Sequence, residues 1–229
     1  MKGLKMSKKI MQAFKHRFNR LVMKFLPVGK RFERIYRHRH WGGADSESRS
    51  GRGSSLAATE NIRDEIPKLL TKLKVQTLLD LGCGDFHWMK LVDLSGVNYI
   101  GADLVQEVID ENRKNYGSKD RHFILLDGIV DDLPPGVDAV LCREVIFHLS
   151  FRDGLALIKN LCSSDAVYLI ATQMDNASEN QDTYTGGDRS LDLTKAPYHF
   201  PAPIEVLPDN AIAGNRSLCV WRLSEIPFN

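Results

Sequence analysis

Three carboxylates stand at the ends of three strand-like runs: Asp80 in TLLDL, Asp103 in NYIGAD and Asp127 in HFILLD. Gly82, Cys83 and Gly84 follow the first of them, and a turn without Cβ atoms lets the backbone come close to a ligand. Acids grouped around such a turn suit a ligand offering hydroxyls, amino groups or positive charge. They suit a diphosphate poorly, because Asp80 and Asp85 both place negative charge beside the turn. A P-loop is excluded, since no Lys-Ser or Lys-Thr follows the glycines. A nicotinamide dinucleotide competes, because Asp103 lies 19 residues beyond Gly84, where a carboxylate accepts ribose hydroxyls. The G-x-G-x-x-G spacing nevertheless fails, with His87 standing where a third glycine would be needed.

Groups able to move a proton lie further along. Glu144 and His148 follow the run DAVLCR, and His199 sits in the polar stretch APYHFPAP. Each could act as a general base toward an acceptor hydroxyl, histidine because its ordinary pKa lies near neutrality. Arg189, beside TGGD, could hold an anionic acceptor. Trp41, Arg49 and Ser50 precede the patterned region and could fold over a ligand as a lid. No metal cluster is expected: Asp131 and Asp132 lie in a Pro-rich turn, and the four cysteines form no C-x-x-C pair. Reduced, mostly buried thiols of an intracellular protein are the expectation.

Positioning these residues requires alternating strands and helices. After TLLDL the pattern predicts a short helix over FHWMKLV, a strand over NYIGAD and an amphipathic helix over VQEVIDENRKNY. Strands HFILLD and DAVLCR follow. Ser150 with Asp153 resembles a capping box opening the helix RDGLALIKNL, and AVYLIA is a fifth strand. Upstream, Ser54 or Ser55 caps a helix over LAATENIRDEI that Pro67 is expected to interrupt. Continuous apolar strands separated by helices mean a parallel sheet covered on both faces. Residues 173–203 are polar and without period, and the strand-like runs 204–207 and 218–223 close the chain.

Charge divides the chain unevenly. Residues 1–40 hold thirteen Lys and Arg against Glu33 alone, net +12, whereas the whole chain is +2, so the remainder carries −10. Within the arm, Ile10, Phe14, Phe18, Leu21, Val22 and Phe25 form one helical stripe over residues 8–26, flanked by basic residues. Such a helix can lie on its own acidic domain or bind an anionic membrane surface. A nucleic-acid partner is not expected, because no aromatic-interleaved RNA motif accompanies the charge. No run reaches the length of a spanning helix and no secretory signal is legible, so a cytoplasmic protein is expected, membrane-associated where the arm binds lipid. The organisation read from the sequence is an arm over 1–40, a lid and leading helix over 41–74, and a catalytic domain over 75–229 whose acceptor-side loop is 173–203.

LLDLGCGDF, YIGADL, ILLDGI and DAVLCREVIFHLS together resemble the class I S-adenosylmethionine-dependent methyltransferases over residues 75–172. The resemblance implies a Rossmann-like, doubly wound α/β fold: a seven-stranded sheet, mostly parallel, with an antiparallel C-terminal strand pair. It implies S-adenosylmethionine as cofactor. Asp80, Gly82, Cys83, Gly84 and Asp85 would then lie by its methionine part, Asp103 on the ribose hydroxyls and Leu104 against the adenine. Asp127 and Gly128 would read the adenine edge, with Cys142 and Arg143 beside the methionine tail. The implied reaction is O-methylation of a small molecule or of a glycan or lipid-linked sugar. RNA or protein methylation, or a partner subunit that binds the cofactor without turnover, are the alternatives.

Overall fold

The computed structural model describes Met23 and residues 25–43, 45–175, 178–209 and 215–228. Most of the basic stripe over 8–26 falls outside the described residues. The apolar runs become seven strands: β1 Thr77–Leu81, β2 Asn98–Asp103, β3 Arg121–Leu125, β4 Ala139–Cys142, β5 Tyr168–Met174, β6 Glu205–Pro208 and β7 Arg216–Arg222. Four helices accompany them among the described residues: α1 Val28–Arg37, α2 Glu60–Leu73, α3 Gln106–Tyr116 and α4 Phe151–Cys162. The sheet order is β3-β2-β1-β4-β5-β7-β6. Strands β1 to β5 pair in parallel, and β7 runs antiparallel to both of its neighbours, β5 and β6. This is the doubly wound α/β sheet expected from the sequence, with the antiparallel pair at its C-terminal edge.

Period-two side-chain alternation sends each strand into two cores. Leu78 of β1 packs with Ile62, Ile66, Leu69 and Leu70 of α2 and Ile109 of α3 on one face. Leu79 and Leu81 face Leu157, Ile158 and Leu161 of α4 together with Trp221 of β7. Order reverses between β1 and β4, where the chain leaves β3 at one edge and crosses back to the far side of β1. A crevice at the carboxyl ends of the strands is the geometric result.

Two local expectations give way. Pro67 does not interrupt its helix, which runs unbroken as α2. An interior proline costs about 3 kcal/mol. Burial of Ile62, Ile66, Leu69 and Leu70, at about 1.5–3 kcal/mol each, outweighs that. The expected entry cap is displaced too: Ser55 Oγ accepts from the Ala58 amide at 3.2 Å in the turn before α2, and Thr59 begins the helix without a side-chain cap.

Over FHWMKLV there is only a 3₁₀ turn, Met89–Leu91. Phe86 is the reason. Its ring is buried against Tyr99, Tyr116 and Phe123 at centroid distances of 5.1–5.2 Å, and its φ is +55°, which a helix cannot use. The capping box at α4 forms one of its two arms: Ser150 Oγ accepts from the Asp153 amide at 3.2 Å. The reciprocal arm is replaced by Thr185, whose Oγ1 accepts from the Ser150 amide at 3.0 Å and whose hydroxyl donates to Asp153.

Candidate functional site

The crevice at the strand ends is an open-mouthed cavity with about 130 Å³ accessible to water-sized molecules, walled by the ends of β1 to β4 and roofed by α1 and residues 41–54. Its floor is the glycine turn. The Gly82 and Cys83 amides donate to the Ala102 carbonyl at 2.8 and 3.0 Å, which ties the turn to β2. Gly82 and Gly84 take φ of +78° and +55°, where a side chain is strained. A Cβ on Gly84 would also fall 2.1 Å from Ser50 Oγ, so this glycine lets the roof settle onto the turn.

The three acids line this cavity. Asp80 is buried and accepts from the Tyr99 hydroxyl at 2.6 Å; burial pushes its carboxyl up to about 7, against that hydrogen bond. Asp103 accepts the Gly84 amide on one oxygen at 3.1 Å and the Val105 amide on the other at 3.0 Å. Burial raises its pKa and these amides hold it down. Each oxygen keeps further accepting capacity. Asp127, half-buried and likewise raised by burial, accepts the Ile129 amide at 3.0 Å. Leu104 and Gly128 complete this side.

At the other end lie Arg143, Glu144 and His148. Arg143 makes a two-pronged ion pair with Asp209 at 2.9 and 3.0 Å and stands over the Trp88 ring. Glu144 has φ +58°, its amide donating to Thr172 Oγ1 at 2.8 Å and its carboxylate paired with Arg216. Gly53 makes room for it: a Cβ there would sit 1.9 Å from Glu144 Oε2. His148 is buried against two rings, Trp41 stacked at 4.5 Å and Phe147 tilted at 4.2 Å. Its Nδ1 is 2.7 Å from the Gly187 carbonyl oxygen. A carbonyl can only accept, so Nδ1 carries the proton and Nε2 the lone pair. Burial lowers the imidazole pKa, which keeps the ring neutral.

Several residues nominated from the sequence lie elsewhere. Cys142 is fully buried on the α4 face of β4, its thiol pushed up by burial, and it does not line the cavity. Alternation along β4 sends its side chain to the core while Arg143 reaches the cavity. Asp85 turns from the cavity to the roof, accepting Ser48 Oγ at 2.9 Å, the Arg49 amide at 2.7 Å and Ser50 Oγ at 3.1 Å. Arg49 points outward to Glu107 and Glu111 on α3, at 2.6 and 3.0 Å. His199 is exposed, with φ +53°, on a turn away from the cavity lining. Arg189 is also off the cavity; its guanidinium is covered by Phe151 and donates to Tyr198 Oη at 3.0 Å. Trp41 and Ser50 do line the cavity, as roof residues.

The sequence reading missed Phe32 and Tyr36, which α1 brings to the cavity from within the basic arm. Their spacing with Ile35 carries a helical signal, but Pro27 cuts this stretch from the longer stripe before it. Tyr36 Oη is buried without a hydrogen-bond partner. Among the described residues no group of three or more His, Cys, Asp or Glu could hold a metal ion. No described helix is long and apolar enough to cross a membrane.

The model of a methyltransferase domain family matches residues 79–170, from β1 to β5. Among curated proteins none matches the chain. Among solved structures the chain is similar to TnmH, 16% identical over 75% of this chain and 55% of that one, with a TM-score of 0.57. It is similar to magnesium protoporphyrin IX methyltransferase from Synechocystis PCC 6803, crystallised with bound S-adenosylmethionine, at 17% identity, 69% and 81% coverage and a TM-score of 0.50. A third neighbour is N,N-8-amino-8-demethyl-D-riboflavin dimethyltransferase from Streptomyces davawensis, at 14% identity, 72% and 54% coverage and a TM-score of 0.50. At these identities the likeness is one of fold, and the chain spans about half the length of the first and third neighbours.

Proposed function

The chain carries a class I S-adenosylmethionine-dependent methyltransferase domain, and on that premise we propose that it O-methylates a small, uncharged hydroxyl compound with His148 as general base. The residues present fit the cofactor. The cavity offers a glycine turn that admits a close backbone approach, three acids along one rim and an unpartnered buried hydroxyl at Tyr36. Asp103 would hold the ribose diol, Asp127 and Gly128 the adenine edge, and Asp80 with the glycine turn the cationic methionine part. When bound, the cofactor supplies an activated methyl group on a sulfonium.

The observation that carries the choice of base is the His148 Nδ1–H donated to Gly187. It fixes the tautomer, and Trp41 and Phe147 fix the ring plane, so Nε2 is presented as a proton acceptor. Glu144 is the weaker candidate because its carboxylate is already engaged by Arg216. Asp80, Asp103, Asp127 and Glu144 outnumber Arg143 around the cavity, which disfavours a carboxylate or phosphate acceptor. The protoporphyrin and riboflavin neighbours are likewise methyltransferases of small molecules.

The test is turnover of a panel of hydroxyl acceptors by wild type and His148→Gln, with calorimetry on S-adenosylhomocysteine alongside. A general base contributes about 10²–10⁴-fold. A loss of that order with product affinity retained supports the assignment, and undiminished turnover removes His148 from it.

A further inference from the structure

We propose that Tyr36 completes the ribose subsite, its hydroxyl donating to an oxygen of the diol whose protons Asp103 accepts. This rests on the placement of the cofactor given above. An ionised carboxylate only accepts, whereas a hydroxyl offers one hydrogen and two lone pairs. Asp103 therefore answers half of what a buried diol requires, and the lone pairs need a donor. Among the residues lining the cavity, Tyr36 Oη is the one fully buried side-chain polar atom without a hydrogen-bond partner.

Its position matches the role. The Tyr36 ring packs with Val105 and Val108, immediately after Asp103 at the start of α3. The Arg49 guanidinium covers the ring at 4.2 Å from its centroid and is itself held by Glu107 and Glu111. Packed with two valines and covered by a cation, the ring has little freedom to turn its hydroxyl elsewhere. Burial, reinforced by the Asp85 charge, raises the phenol pKa, so the group stays a donor. The donor comes from α1, outside the segment 79–170 that matches the methyltransferase domain family. A helix of the basic arm is thereby part of the cofactor site.

Tyr36→Phe in the full chain keeps the ring and removes only the hydroxyl. Calorimetry would compare S-adenosylhomocysteine with its 2′,3′-dideoxy counterpart. The substitution is expected to weaken the first about tenfold and to leave the second within about twofold of wild type. No loss for either ligand, or an equal loss for both, overturns the proposal, the latter because a ring-packing role would not distinguish them. Asp103→Asn is measured beside it. If that variant binds S-adenosylhomocysteine as wild type does, the cofactor placement itself falls; if Tyr36→Phe alone is silent, only the tyrosine's role falls.

Discussion

The imidazole of His148 lies flat against the indole of Trp41, with ring centroids 4.5 Å apart and planes 21° from parallel. One residue belongs to the roof and the other to the turn after β4, so the contact joins the segment before the sheet to the proposed base. Phe147 adds a second ring, tilted at 46° with its centroid 4.2 Å from that of the imidazole. The two aromatic neighbours and the burial they provide keep water from the ring, and the dry surroundings lower its pKa.

Trp41→Ala should therefore move the pH profile. A pKa lowered by burial keeps wild-type His148 in its basic form to lower pH than a free imidazole, and turnover is lost as pH falls through that pKa. Hydrating one face raises the pKa, so the acid limb moves to higher pH. The variant should also lose about 1 kcal/mol or more of stability from the broken aromatic pair. A kcat profile with its limb unchanged would detach Trp41 from the base.

Asp80 should make cofactor affinity depend on pH. Its carboxyl is pushed up to about 7 by burial, so below that pH it must lose a proton before it can meet a cation. Affinity for S-adenosylmethionine should fall by up to about tenfold per unit as pH drops below about 7 and level off above it. 5′-Methylthioadenosine, which carries neither sulfonium nor ammonium, should show no such fall. Asp80→Asn should flatten the profile for the charged ligand. Calorimetry across pH 5.5–8.5 with both ligands checks this, and parallel slopes in wild type would refute it.

Asp85 should control the roof rather than the ligand. Its carboxylate gathers Ser48, the Arg49 amide and Ser50, and its own amide donates to Ser50 Oγ at 2.9 Å. Asp85→Ala leaves those donors unpaired, at a cost of about 1–3 kcal/mol to the closed roof. Trypsin should then cut faster at Arg49 or Arg52, and S-adenosylhomocysteine should dissociate about tenfold faster or more. Wild-type rates in both measurements would show that the roof is held by other contacts.

Pattern and motif made the sheet legible because they are local. Apolar runs of strand length ending in Asp80, Asp103 and Asp127 announce parallel strands with acids at one end, and GCG announces the turn between them. Pro67 and Phe86 misled for the opposite reason. The burial of α2 and an aromatic cluster reaching to Tyr116 and Phe123 overrode what each residue prefers in its own stretch. Cys142 and Asp85 belong to the set that the family resemblance implies, each next in sequence to a residue that does line the cavity. One step along a strand or a turn points a side chain to a different surface.

The sequence alone determined the α/β alternation, the glycine turn and the three acids on the rim, since each follows from period, spacing and residue type within a short stretch. Tertiary structure alone decided which of the three base candidates has a free nitrogen at the cavity, because that depends on the carbonyl of Gly187 meeting a ring 39 positions earlier in the chain. It also decided that α1 belongs to the site. The pairing of Tyr36 with Val105 and Arg49 joins segments that no local pattern connects, and only the packed fold brings them into contact.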